Sequence, residues 1–293
     1  MNLGLLLIAL FSLSSSPLWV RMAGASIAVI CLWRLLGAAF CMSVPTLWRG
    51  ESLRFSSKSE SRNTLAAGVF FAAHLWTYVH SAQTTSVAHV VMIFSAAPVF
   101  TAIGASVWYR EKFPKHLFFV YGLAAMGIYL LMTDPTRAAT ARSQATSLAG
   151  DFSALISAIL HAAYVLASRQ ARLTSSNLRF SFWLYAISGA LFLGLALCES
   201  APLVPGHGLF YFAIGGLILF PSLMGHTLFT YLLKYVNVNV LSCSKLLEPA
   251  FAVGMAYVFF DELIGPKTAF AFLLMIAAVL ILFRPWRALR RSA

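Results

Sequence analysis

Acidic residues are scarce in this chain: its 293 residues include only nine Asp and Glu, against 21 Lys and Arg. Charged residues make up 10% of the sequence, whereas a typical soluble domain has about 25%. Apolar residues make up 60%, and the mean hydropathy is +0.82. Such a chain cannot cover its apolar surface in water, so the composition excludes an ordinary soluble domain and predicts a membrane protein.

Cysteines and catalytic motifs are also few. Four cysteines lie inside or at the ends of apolar runs, with no C-x-x-C pair and no histidine at ligand spacing, which favours neither disulfides nor a metal site. The sequence has no H-E-x-x-H, G-x-S-x-G or Walker A pattern, the signatures of zinc peptidases, serine hydrolases and P-loop NTPases. We therefore expect no catalytic residue, no bound metal and no cofactor.

Long apolar runs occupy most of the chain. A hydrocarbon core about 30 Å thick requires about 20 apolar helical residues. The ten predicted spans are residues 3–20, 23–47, 64–81, 85–108, 117–132, 148–168, 180–197, 209–233, 240–260 and 268–283. The first span lacks the basic region and cleavage site of a secretory signal, so we expect it to be retained. The prediction is an all-α integral membrane protein with ten transmembrane helices.

The basic residues are distributed unequally between the two sides of these spans. If the N-terminus lies in the cytoplasm, 15 of the 21 Lys and Arg fall in cytoplasmic segments, four fall outside, and Arg34 and Lys245 lie within spans. An excess of Lys and Arg marks the cytoplasmic side. We therefore expect a multi-pass protein of the bacterial inner membrane with both termini in the cytoplasm. The net charge of +12 then reflects topology and anionic headgroups, not nucleic-acid binding.

The second half of the sequence repeats the first. When Pro98 is aligned with Pro249, a shift of 151 residues, Glu111 aligns with Glu262 without a gap. Five spans is an odd number, so the second copy enters the membrane from the opposite side, as in inverted-repeat transporters. The predicted organisation is a first five-helix repeat at 1–132, a connecting loop at 133–147, a second repeat at 148–283 and a basic cytoplasmic tail at 284–293.

Two stretches resemble a known family. TSVAHVVMIFSAAPVFTAIGASVWYREKF and GHTLFTYLLKYVNVNVLSCSKLLEPAFAVGMAYVFFDELIG are similar to the two EamA repeats of the drug/metabolite transporter superfamily. In that family the fourth helix of each repeat has a mid-helix proline and ends at an acidic residue, as at Pro98 with Glu111 and at Pro249 with Glu262. Arg34, in WRLLGAAF, resembles an arginine that often follows the start of the second helix. The resemblance implies two inverted five-helix repeats around a central cavity and identifies no cargo.

Three charged side chains lie inside predicted spans: Arg34, Lys245 and Glu248. A charge at the membrane centre costs about 2.5 to 3.5 kcal/mol on insertion scales, so it needs compensation and often marks function. Lys245 and Glu248 are three residues apart on one helix and can pair, and the pair could bind both ends of a zwitterion. In the alternative interpretation the pair is structural, with Glu248 bonding backbone groups freed by Pro249, and Arg34 anchors helix packing.

Uncharged polar residues also follow helical faces. Helix six carries them at steps of three and four from Ser153 to Ser168, and helices three and eight have shorter lines; such lines face protein or water, not lipid. A histidine within them could carry protons or could simply hydrogen-bond between helices. The predicted substrate and translocation pathway consists of Arg34, His74, Trp76, Tyr78, His161, Tyr164, His226, Lys245 and Glu248.

The predicted function is a secondary transporter that moves an amino acid, amine or drug-like solute through the lipid bilayer by alternating access, as a monomer or loose homodimer. The alternative cargo is an anionic or nucleoside-linked metabolite, for which Arg34 and Lys245 would supply positive charge. An intramembrane enzyme or a structural membrane protein are the non-carrier alternatives. The sequence offers no catalytic set for the first, and the second gives no reason for an inverted repeat that encloses charges.

Overall fold

A computed structural model describes residues 3–85, 87–110, 116–133, 147–206, 208–260 and 265–289. All regular elements within these ranges are helical, and they form ten helices. The helices are α1 (Leu3–Ser14 and Ser16–Ala23), α2 (Ile27–Trp48), α3 (Lys58–Thr84), α4 (Val87–Phe94 and Ala97–Tyr109), α5 (His116–Met132), α6 (Leu148–Thr174), α7 (Asn177–Cys198), α8 (Gly208–Leu232), α9 (Val238–Phe260) and α10 (Pro266–Leu289). The all-α, ten-helix prediction is confirmed.

Serine side chains begin four of these helices. Ser26, Ser57, Ser147 and Ser176 each accept a hydrogen bond from the backbone N–H three residues later, at the starts of α2, α3, α6 and α7. Such caps satisfy N–H groups that have no partner within the helix and stabilise it by about 1 kcal/mol each. The first turn of each helix is therefore fixed by local sequence.

The outer surface of the bundle is apolar. Five helices, α1, α2, α6, α7 and α8, are long and apolar enough to cross a membrane by length and composition. Large side chains such as Phe40, Phe118 and Val107 are 70%, 70% and 76% exposed. In water this surface would cause association, whereas in a bilayer it is solvated by lipid tails.

Equivalent helices of the two halves run antiparallel where they meet. The first half of α4 contacts the second half of α9, and the second half of α4 contacts the first half of α9. Lys267, at the start of α10, donates to the carbonyl of Thr133 just after α5, at 3.2 Å. Trp33, near the start of α2, donates to the carbonyl of Leu203 beyond the end of α7, at 2.7 Å. Antiparallel partners are what an inverted five-plus-five repeat requires.

Basic segments from both halves meet at one end of the bundle, which we call the basic end. Arg179, at the start of α7, bonds Glu60 at the start of α3, with 3.0 Å between Nε and Oε1. Arg169, near the end of α6, lies 4.7 Å from the ring centre of Tyr109 at the end of α4. The segments that the charge pattern placed on one side of the membrane therefore lie together.

Candidate functional site

Two helices are interrupted near their middles at equivalent positions. Helix α4 breaks at Ser95 and Ala96 before restarting at Ala97, and α9 has a short 3₁₀ segment, Lys245–Leu247, before restarting at Glu248. Pro98 and Pro249 occupy the second position of the restarted segments, where a proline needs no hydrogen-bond partner for its nitrogen. Broken helices of this kind commonly form the substrate sites of transporters, near the bilayer midplane.

The break in α9 carries an ion pair. Lys245 Nζ lies 2.9 Å from Glu248 Oε1, and their side chains are 5% and 11% exposed. The ammonium also lies 5.2 Å from the ring centre of Phe94 and 5.3 Å from that of Phe229. Phe94 is 151 residues before Lys245 and is therefore its counterpart in the first repeat. The two side chains face each other at the breaks of α4 and α9.

Arg34 enters the same region from α2. Its side chain is 1% exposed, and Nε donates to Ser222 Oγ at 3.0 Å. Ser222 belongs to a π-helical segment of α8, Ile218–Thr227, a form that is rare and frequent at functional sites. The carbonyl of Ser222 accepts a hydrogen bond from the Tyr185 hydroxyl at 2.7 Å, so α2, α7 and α8 are joined around the guanidinium.

Three histidines from three helices surround this centre. The His74 ring lies 4.8 Å from that of His161 and 6.4 Å from that of His226. His74 Nδ1 lies 2.8 Å from Ser157 Oγ and 3.2 Å from the Ser157 carbonyl. Since a carbonyl only accepts, Nδ1 carries a proton in this arrangement.

The space between these side chains is small. The cavity measures about 20 Å³, enough for about one water molecule. It is lined by Leu13, Ser16, Arg34, His74, Leu75, Tyr78, Phe94, His226, Lys245 and Glu248. Six of the nine predicted pathway residues therefore border one small cavity.

The other predicted residues lie in three places. His161 and Tyr164 pack behind the cavity, with their rings 5.4 Å apart. Trp76 is 39% exposed and stacks on His80 at 5.5 Å; the structure does not bring it to the cavity, because its position on α3 faces outward. Glu111 and Glu262 lie outside the described residues. The described residues contain no group of three or more His, Cys, Asp or Glu suited to a metal ion.

Sequence reasoning missed Phe94, Ser222 and Tyr185. Phe94 could have been found, because it is the repeat counterpart of Lys245. Ser222 and Tyr185 carried no signal, since a serine and a tyrosine in apolar helices are ordinary, and the π-helical segment that turns Ser222 towards Arg34 has no clear sequence pattern.

Known proteins support this architecture. The model of the EamA-like transporter family matches residues 2–133 and 148–284, in both halves of the chain. The chain belongs to the EamA-like transporter family. This family assignment identifies a multi-pass membrane transporter of small molecules and confirms the resemblance seen in the sequence.

Individual relatives agree with the family. An uncharacterized transporter from Archaeoglobus fulgidus is 26% identical over 223 residues, covering 76% of this chain and 77% of the archaeal protein. Mouse solute carrier family 35 member G1 is 26% identical over 204 residues, covering 67% of this chain but only 54% of the mouse protein. One crystal structure shares the fold across 97% of both chains, with a TM-score of 0.75 and 16% identity.

Proposed function

We propose that this EamA family member moves a small organic solute across the membrane by alternating access. Its binding site is the cavity lined by α1, α2, α3, α4, α8 and α9. The observation that carries the proposal is the convergence of Arg34, the Lys245–Glu248 pair and two histidines on one small cavity at the helix breaks. Charged groups inside a bilayer are costly and are retained where they handle substrate or ions.

The lining favours a solute with both charged and apolar parts. Cations and a carboxylate border the cavity beside Leu13, Leu75 and Phe94. An amino acid or a related amine suits this mixture best. An anionic or nucleoside-linked metabolite is the second candidate, because two of the three charged groups at the cavity are cations.

Alternating access requires that the cavity open to each side in turn. A cavity of about 20 Å³ cannot hold an amino acid, so binding must be accompanied by movement of its walls. The breaks in α4 and α9 allow each helix to bend at the cavity while its two halves stay rigid. Because the repeats are inverted, the same bend in the other repeat would open the other side.

The proposed setting is the bacterial inner membrane, with both termini and the basic end in the cytoplasm. Residues 1–132 and 148–283 would form the two repeats. One chain encloses the whole cavity, so a monomer or a loose homodimer suffices for transport. No catalytic or nucleic-acid-binding role is part of this proposal.

Counterflow in proteoliposomes tests the proposal. Vesicles preloaded with unlabelled L-amino acids should transiently accumulate a labelled amino acid above equilibrium, whereas a channel only equilibrates it. Lys245→Ala and Glu248→Gln should abolish accumulation. Lys267→Ala is the control and should not, because Lys267 is exposed at the end of the bundle opposite to the basic end. Equilibration without accumulation would reject alternating access, and accumulation only of nucleotide-linked anions would reject the amino-acid class.

A further inference from the structure

Arg34 is buried with four of its five N–H donors unpaired. Its side chain is 1% exposed, and both Nη1 and Nη2 are buried without a hydrogen-bond partner. Within the described part of the chain, no carboxylate lies within 4 Å of the guanidinium; the carboxylate at the cavity, Glu248, is paired with Lys245. An unpaired charge in an apolar interior is strongly destabilising.

A second buried arginine shows that the fold can satisfy such a group. Arg172 is 2% exposed, and its Nε donates to the carbonyl of Thr230 at 3.2 Å. Its Nη1 donates to the carbonyl of Ser175. Arg172 thus bonds two carbonyls, whereas Arg34 bonds one hydroxyl only. The edge of the Arg34 guanidinium formed by Nη1 and Nη2, which we call the open edge, is therefore not a general consequence of burying an arginine in this fold.

The open edge is held in a fixed direction. Ser222 Oγ accepts from Arg34 Nε and donates to the carbonyl of Leu217 at 2.9 Å, and the Tyr185 hydroxyl fixes the Ser222 backbone. With Nε occupied, the edge formed by Nη1 and Nη2 remains. Two parallel N–H groups on one edge match the two oxygens of a carboxylate.

The charge balance of the cavity favours an acidic ligand. Lys245 and Glu248 neutralise each other at 2.9 Å, so Arg34 supplies the unbalanced charge. Resting on the proposed transport function, we propose that Arg34 is the carboxylate subsite of the transported solute. The carboxylate bridges Nη1 and Nη2, and the rest of the small organic acid or amino acid lies beside Leu75 and Phe94.

The subsite makes Arg34 a binding residue whose removal should not harm the empty protein. We would compare the thermal unfolding of wild type, Arg34→Gln and Arg172→Gln in nanodiscs without ligand. Arg34→Gln should have a Tm equal to or above that of wild type, because an unpaired charge is removed. Arg172→Gln, the matched control, should have a lower Tm because satisfied bonds are lost.

Ligand specificity is tested with three probes that share one branched chain: L-leucine, 4-methylpentanoate and 3-methylbutylamine, at equal ionic strength. The two carboxylates should raise the Tm of wild type increasingly as their concentration exceeds the Kd, and the amine should not. Arg34→Gln should weaken carboxylate binding by roughly 30-fold or more. Ser222→Ala keeps the charge but releases its orientation and should also weaken binding, by a smaller factor.

Several results would overturn the subsite: no stabilisation by either carboxylate, equal stabilisation by the amine, unchanged carboxylate binding in Arg34→Gln, or a lower Tm for ligand-free Arg34→Gln than for Arg172→Gln. If Arg34→Gln fails to fold, carboxylate binding by Ser222→Ala that equals wild type rejects the subsite, and weakened binding supports it. Intact counterflow with any rejecting result would leave the transport function standing, whereas absent counterflow would reject that function itself.

Discussion

Lys245 and Glu248 are each buried charges that depend on the other. The pair lies 2.9 Å apart at the break of α9. Removing one member of a buried pair typically costs about 3 to 5 kcal/mol because the remaining charge is uncompensated, whereas replacing both with neutral groups can be close to neutral. Stability and transport should therefore respond differently to single and double substitutions.

We expect Lys245→Met and Glu248→Gln each to lower the free energy of unfolding by roughly 3 kcal/mol. The double variant should recover most of that stability yet remain inactive in uptake, because both charges of the proposed binding site are gone. Thermal unfolding and proteoliposome uptake, measured on the same preparations, check both parts. A double variant that transports normally would remove the pair from the mechanism.

The spacing of Lys245 and Glu248 predicted their pairing correctly, because residues three apart share a helical face. The convergence of Arg34, His74 and His226 on the same cavity could only be proposed, since a single sequence does not fix how helices rotate against one another. Trp76 shows what the sequence could not predict. It lies two residues from His74, and residues two apart on an α-helix point to nearly opposite sides.

At the scale of elements, α7 packs closely on its neighbours through glycine. A Cβ added at Gly189 would lie 2.6 Å from Leu36 Cδ2 and 3.3 Å from the Leu36 backbone nitrogen in α2. Small residues allow this close approach, which is the main source of attraction between helices in lipid. Gly194, five residues later on α7, has nothing within 4 Å of the same position.

Gly189→Ala should therefore destabilise the protein by about 1 to 3 kcal/mol, through overpacking against a backbone atom that cannot rotate away. Gly194→Ala is the matched control and should be neutral or slightly stabilising, because alanine has the higher helix propensity. Thermal unfolding in one detergent compares the two. Equal Tm values for both variants would contradict the close contact between α2 and α7.

The basic end is held by a carboxylate at the start of α3. Burial would raise the pKa of Glu60, but hydrogen bonds from Ser175 and from the backbone N–H of Ser56, with the charge of Arg179, hold the pKa below its ordinary value of 4.5. A lowered folded-state pKa contributes stability that is present above the unfolded value and is lost as pH falls through the folded value. The contact therefore persists at neutral pH.

Glu60→Gln should lower the Tm by several degrees at pH 7. The difference from wild type should shrink as the pH falls below about 4.5, because the wild-type carboxylate then becomes protonated and loses its charge. Glu199→Gln, an exposed glutamate at the other end, serves as control. Unfolding curves from pH 7 to pH 3 provide the measurement. A difference that stays constant over this range would show that the charge of Glu60 does not hold the basic end.

The sequence identified Pro98 and Pro249 as mid-helix prolines of α4 and α9, but it predicted neither the breaks in these helices nor how α8 is wound. Both prolines lie in the first turn of the restarted segments, where the missing N–H would have no partner within the helix. The π-helical segment Ile218–Thr227, which contains Pro221 and contacts α1 and α2, was not predicted. The lengths of the apolar runs, in contrast, predicted the ten helices correctly.

At the scale of the whole molecule, the proposed transport mechanism requires that one cavity open to each side of the membrane in turn. The antiparallel arrangement of α4 with α9, α5 with α10 and α2 with α7 supplies two inverted halves around it. When two inverted repeats exchange conformations, the cavity opens to the opposite side of the membrane. The inward-open and outward-open states that the proposal requires would therefore be structurally related. The small central cavity is lined by residues of both halves.

Labelling of a single cysteine at Ser16, a cavity-lining position, tests this claim most directly. In a background without Cys31, Cys41, Cys198 and Cys243, a membrane-impermeant thiol reagent would be applied to right-side-out and to inverted vesicles. Lys58→Cys and Lys267→Cys, exposed at opposite ends, should each react from one side only. We predict that Ser16→Cys reacts from both sides; reaction from one side alone would contradict alternating access.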